Sequence, residues 1–137
     1  HVSEKTIQEI SYEELETVPT VQGETELAIQ LINSSLQAAV AFSTNDFETL
    51  KTLLASNTIF DETNETVTFP SLEIPLVVEM KTIQPFELRD LVVNGFDARD
   101  GIDPIVILRI NHHSYEVMFS KDKASGEYRV ISFIGNR

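Results

Sequence analysis

The sequence predicts an α+β fold in one domain, and three observations carry that reading. A long stretch with helical periodicity and a shorter one behind it occupy the first half of the chain. After residue 57 the apolar period changes from about four to two. The strand-like segments that follow are joined by connections too short for a parallel crossover, which needs about a dozen residues or more, so they must pair antiparallel. Helices first and a meander afterwards is the order of an α+β domain.

The size and composition fit that class. The chain has 137 residues, 42% of them hydrophobic, and no cysteine. A chain of this length buries roughly two-thirds of its unfolded surface on folding, enough for one core without disulfides. The lack of cysteine excludes a disulfide framework, thiolate metal sites, iron–sulfur clusters and a cysteine nucleophile. The net charge is −12, from 22 acids against 10 Lys plus Arg. Such a surface repels phosphate backbones, so direct nucleic-acid binding is not expected. The stretch from Arg109 to Arg137 carries five basic residues against three acids, too sparse for a binding stripe.

Residues 1–20, "HVSEKTIQEISYEELETVPT", hold five Glu and one Lys and end near Pro19. They read as an acidic leader or tether, or as a short amphipathic helix over Ile10 to Leu15; the domain proper is expected over 21–137. The first residue is His1 and not Met, as expected of a processed or engineered fragment, and removal of a signal peptide or membrane anchor is one way to arrive at it. A membrane is therefore a partner only through such an anchor.

"GETELAIQLINSSLQAAVAFST" predicts the main helix. Glu26, Gln30, Asn33 and Gln37 form one narrow polar stripe, and Leu27, Ala28, Leu31, Ile32, Leu36, Ala38, Ala39, Val40 and Phe42 cover the rest. A helix this apolar must be wrapped by the fold, and its alanines allow close approach. "TNDFETLKTLLASN" restarts the pattern. Asn45 is the expected N-cap, with Glu48 able to reach back and Asp46 favouring the helix start. Asn57 is the expected stop.

"TIF-DETNE-TVTF" predicts a hairpin with a polar tip. "PSLEIP" reads as a loop. "LVVEMKTI" is too brief for periodicity to separate strand from helix. "FELRDLVVNGF", "IVILRI", "SYEVMFS" and "EYRVISFI" read as strands, the last after a "KDKASG" turn.

Candidate chemistry is sparse. His112 and His113 fall between two strands, so Asn111, His112, His113 and Ser114 are expected to form the turn itself. Metal-binding histidines usually stand at helical i, i+4 or at alternate strand positions, so no metal site is expected here. Asp97, Asp100 and Asp103 in "DARDGID" lack the spacing of a calcium loop, as do Asp61, Glu62, Asn64 and Glu65. Arg109 and Glu116 could face each other across a ladder as an ion pair rather than a catalytic one, and Glu79 interrupts an apolar run in a similar way. Sequons occur at Asn33 and Asn64, and only Asn64, on a hairpin tip, is expected to be accessible. No phosphate loop, nucleophile elbow or metalloprotease helix is present. No catalytic residue and no cofactor is expected.

The order of elements resembles the nuclear transport factor 2-like superfamily, the cystatin-like α+β roll, over residues 24–134. The carriers are "ETELAIQLINSSLQAAVAFST", the break at "ND", "FETLKTLLAS" and the meander "IVILRINHHSYEVMFSKDKASGEYRVISF". The resemblance implies a curved antiparallel sheet that wraps the helices and leaves a conical cavity. It also implies a non-enzymatic extracytoplasmic module of a bacterial cell envelope, a type IV secretion or conjugation subunit among the examples. Its partner would be another protein or a second copy. The working surface would be the open sheet or the cone mouth near Arg109, Tyr115, Phe119, Tyr128 and Phe133. The alternative is a small apolar ligand in the cavity, handled by an isomerase- or dehydratase-like enzyme or a carrier.

Overall fold

The structure is a computed structural model that describes residues 21–22, 25–99 and 101–136. The acidic leader and Asp100 lie outside the described residues.

Helix α1 (Thr25–Ser43) is the centre of the fold. Ala28, Leu31, Ile32, Leu36, Ala38, Ala39, Ala41 and Phe42 are all buried, as the wide apolar arc predicts. Ser35 is buried too, and its hydroxyl donates to the Leu31 carbonyl at 2.8 Å, the backbone acceptor a buried serine in a helix can reach.

The break before helix α2 (Phe47–Leu53) is built differently from the expectation. Asn45 is not the N-cap. It holds φ 59° just beyond α1, and the Asp46 N–H returns to the Ala41 carbonyl at 2.9 Å. That is the left-handed closure of a helix C-terminus, which Asn tolerates. The N-cap is Asp46, one residue later: its carboxylate accepts from the Thr49 N–H at 3.1 Å and from the Thr49 hydroxyl at 2.6 Å. These hydrogen bonds hold the Asp46 carboxyl below the usual aspartate range. Its contribution is therefore present above pH of about 4 and lost as pH falls through the lowered value. Asp46→Ala is expected to cost about 1 kcal/mol at pH 7. In urea melts against pH, the gap between wild type and variant should close towards acid.

The strands fall into two sheets. Strands β2 (Ile59–Asp61), β3 (Thr66–Phe69) and β4 (Leu76–Glu79) form a small antiparallel sheet in the order β2-β3-β4. "LVVE" is thus a strand rather than a third helix. The large sheet has the order β1-β5-β6-β7-β8, with β1 (Val21–Gln22), β5 (Leu91–Asp97), β6 (Ile105–Ile110), β7 (His113–Lys121) and β8 (Tyr128–Asn136). Four of its strands pair antiparallel, and β1 adds in parallel to β5 at Phe96 and Asp97. The α+β architecture is the one the sequence predicts, with helices packed against antiparallel sheets; the strands are divided between two sheets.

Alternation decides which side chains meet α1. On β6, Val106, Leu108 and Ile110 are buried; on β7, Tyr115, Val117 and Phe119 are. The small sheet contributes Val67 and Phe69 to the same core. The other face of the large sheet carries Val92, Ile107 and Arg109, which are exposed.

Candidate functional site

Among the described residues β4 and β8 are the end strands of their sheets, and on its outer side β8 has a single bridge, from Val130 to Leu54. Between β4 and β8 opens a groove of about 920 Å³. Its floor is Phe42, the last large side chain of α1. One wall is Leu76 to Glu79 with Thr82 and Ile83, and the other is Tyr115 with Phe133 to Gly135. The β6–β7 turn closes one end with His112 and His113.

Each side chain is there for a local reason. The turn consists of Asn111 and His112 alone, with φ 50° and 71°, and the pair Ile110–His113 closes it. Two residues at positive φ make a type I′ turn, whose twist matches that of the strands. His113 and Ser114 therefore belong to β7 and not to the turn. Histidine is strained at positive φ, whereas glycine is not. His112→Gly is expected to raise stability by about 0.5–1 kcal/mol, read as a higher urea midpoint.

Phe42, Phe133 and Tyr115 form an aromatic row. The Phe42 and Phe133 rings lie 5.1 Å apart, and those of Phe133 and Tyr115 5.8 Å apart. Gly135 pairs with Tyr115 and leaves room for its ring; a Cβ there would lie 3.2 Å from Cε1 of Tyr115. Burial pushes the Tyr115 phenol above its ordinary range.

The five residues expected at the working surface are not together. Tyr115 and Phe133 line the groove. Phe119 is fully buried in the core. Tyr128 is half-buried at the far end of β8, with the Lys121 ammonium 5.8 Å from its ring centroid. Arg109 stands on the outer face of the sheet, paired with Ser114, while Glu116 on the same face pairs with Ile107. Arg109 and Glu116 are thus diagonal neighbours, and among the described residues no ion pair joins them. The residues missed by sequence reasoning are the groove floor Phe42 and, on β4 and its turn, Leu76, Val78, Thr82 and Ile83; Glu79 is legible only as an interruption of an apolar run.

Among the described residues the three carboxyls with lowered pKa lie outside the groove, whereas Tyr115, raised by burial, lines it. Asp46, Asp61 and Asp97 are held low by Thr49, Asn64 and Arg99 respectively, in a helix cap, a hairpin tip and a strand end. Among the described residues no three His, Asp or Glu are grouped to hold a metal. No described helix is long and apolar enough to cross a membrane. No family profile, no curated protein and no solved structure matches the chain.

Proposed function

We propose that the protein is a binding module that works through the groove between its two sheets, without catalysis of its own. The observation that carries this reading is the groove itself: an aromatic row and aliphatic side chains form its interior, and polar groups stand at its rim. Binding sites have this character, mostly apolar and concave with a few polar groups to orient the ligand. The lowered carboxyls lie elsewhere and are occupied by structural partners, which favours binding over general acid–base chemistry. A second reading, a small-molecule carrier or enzyme, has in its favour that His112, His113 and Tyr115 border the same groove.

The setting belongs to the proposal as well: an extracytoplasmic module of a bacterial cell envelope, as in a conjugation apparatus. Its support is the resemblance in the order of elements and the acidic leader of residues 1–20.

The test is an apolar fluorescent probe, 1-anilinonaphthalene-8-sulfonate, added to the folded protein. Thr82 is exposed on the groove wall, so Thr82→Trp should obstruct it without touching the core. Val92 is exposed on the outer face, so Val92→Arg leaves the groove open. Fluorescence enhancement lost in Thr82→Trp and kept in Val92→Arg supports the groove. The opposite pattern moves the working surface to the outer face.

A further inference from the structure

We infer that the outer face of the large sheet is a dimer interface, on which a second copy of the chain packs so that Arg109 of each copy meets Glu116 of the other. The inference goes beyond the groove and does not rest on it.

Alternation places the residues. Val106, Leu108 and Ile110 of β6 are buried beneath α1, so Ile105, Ile107 and Arg109 between them point to the opposite face. Residues paired across antiparallel strands share a face. Val92 pairs with Arg109, Met118 with Ile105 and Glu116 with Ile107, so these side chains stand together on the outer face of β5, β6 and β7.

Two features of this face call for a partner. An antiparallel sheet open to water is usually polar on its outer side. Here Ile107 is 38% and Val92 44% exposed, and Ile105 and Met118 are half-buried next to Ile107. Ile107 lies on a central strand, so among the described residues no element covers it. The second feature is the charge. Arg109 and Glu116 are diagonal neighbours, yet among the described residues neither forms an ion pair.

A second copy meets both features. Homodimers most often have two-fold symmetry, and a two-fold interface is self-complementary: where residue i meets j, j also meets i. An axis between the two facing sheets, midway between Arg109 and Glu116, sets each residue against its opposite in the other copy. Two ion pairs then form at one contact. Ile107 adjoins both residues, opposite Glu116 and two along from Arg109, so it falls close to that axis and packs against its own copy. Gly95 pairs with Ile107 on the other side and adds no side chain to the face, which leaves space for that contact.

Charge and area agree with this occupant. The chain carries −12, but on this face Arg109 balances Glu116, and Asp97 is held by Arg99 at 2.8 Å. Two copies therefore approach here against little local repulsion. Four strands of about eight residues, each about 27 Å long and about 4.8 Å from the next, present roughly 500 Å². Two copies bury about 1,000 Å², near the lower bound for a specific interface, so a dissociation constant in the micromolar range is expected.

The experiment is sedimentation equilibrium of the full chain from about 1 µM to about 1 mM. A monomer–dimer equilibrium is expected. Arg109→Glu and Glu116→Arg should each weaken it about tenfold or more, because each sets like charges face to face twice. Mixed in equal amounts, the two variants should associate with each other, since every facing pair is then of opposite sign. The double variant Arg109→Glu/Glu116→Arg should dimerise for the same reason. Ile107→Asp should be folded and monomeric. Circular dichroism checks the fold of each variant, and recovery on mixing makes the same check, since unfolded chains could not restore one another. A chain that stays monomeric throughout overturns the inference, whether the face is then open or covered by residues 1–20. A dimer unaffected by Ile107→Asp or by either charge variant overturns it, and so do charge variants that lose association and do not regain it on mixing. The fluorescent probe should still enter the groove of the monomeric variants, so the two readings are tested apart.

Discussion

Leu108→Asp is expected to abolish folding, and Ile107→Asp, one residue away, to leave the domain folded. The two side chains are neighbours on β6 and opposite in fate: Leu108 is 0% exposed and Ile107 38%. At 108 the carboxylate would be driven into the core beneath α1, where Val106, Ile110 and Tyr115 supply no cation. An isolated buried charge costs far more than a hydrogen-bonded polar group, and it escapes only by protonation or by unfolding. A domain of this size is stable by about 5–15 kcal/mol, so a penalty of several kcal/mol removes most of that margin. At 107 the side chain faces solvent, with Arg109 two residues along the strand and Glu116 directly opposite, so that attraction to the one offsets repulsion from the other. A change there is expected to stay within about 1 kcal/mol. Circular dichroism and urea melts of both variants check the pair. The reversed order, with Ile107→Asp unfolded and Leu108→Asp folded, would show that the register of β6 is shifted by one residue, since such a slip exchanges every inward and outward side chain.

Phe42→Ala is expected to cost about 3–5 kcal/mol. The ring is 1% exposed, lies against Phe133 at 5.1 Å and closes the inner side of the groove. Removing it deletes buried apolar surface and leaves a void that joins the groove. The backbone at this residue is also held from outside the helix, because the Phe42 carbonyl accepts from the Lys81 N–H at 2.9 Å. That bond ties the end of α1 to the turn after β4, so collapse around the void is restrained and the upper part of the range is expected. The check is a urea melt in which the midpoint falls while the slope stays constant. A loss below about 1 kcal/mol would mean that the end of α1 is not enclosed by β4 and β8. Phe42→Leu, which keeps the aliphatic fill, should cost less.

Much of the fold is legible in the residues. α1 is readable because its polar stripe is so narrow that only a helix wrapped by other elements could hide the rest. The β6–β7 turn is readable because Asn111 tolerates positive φ between two apolar runs. The limits were local as well as long-range. The cap of α2 moved by one residue because Asn45 and Asp46 can each fill two roles, and the path of the chain out of α1 selects between them. "LVVE" could not be assigned because four apolar-rich residues carry no period. β1 gives no signal at all, since its two residues are strand only through Phe96 and Asp97 of β5.

The candidate site was half visible for the same reasons. Alternation correctly sets Tyr115, Val117 and Phe119 on one face of β7. It does not say that the face runs from the groove at Tyr115 to the sealed core at Phe119.

By itself the sequence determined the class of the fold, the enclosed helix, the place of the β6–β7 turn though not its two-residue length, and the acidity of the surface, because these follow from period, turn chemistry and charge within short windows. Only the tertiary structure decided that β4 and β8 end their sheets on opposite sides of one groove. Those strands are brought together by the common core beneath them, and an edge is defined by the neighbour that a strand lacks, which no local pattern of residues can record.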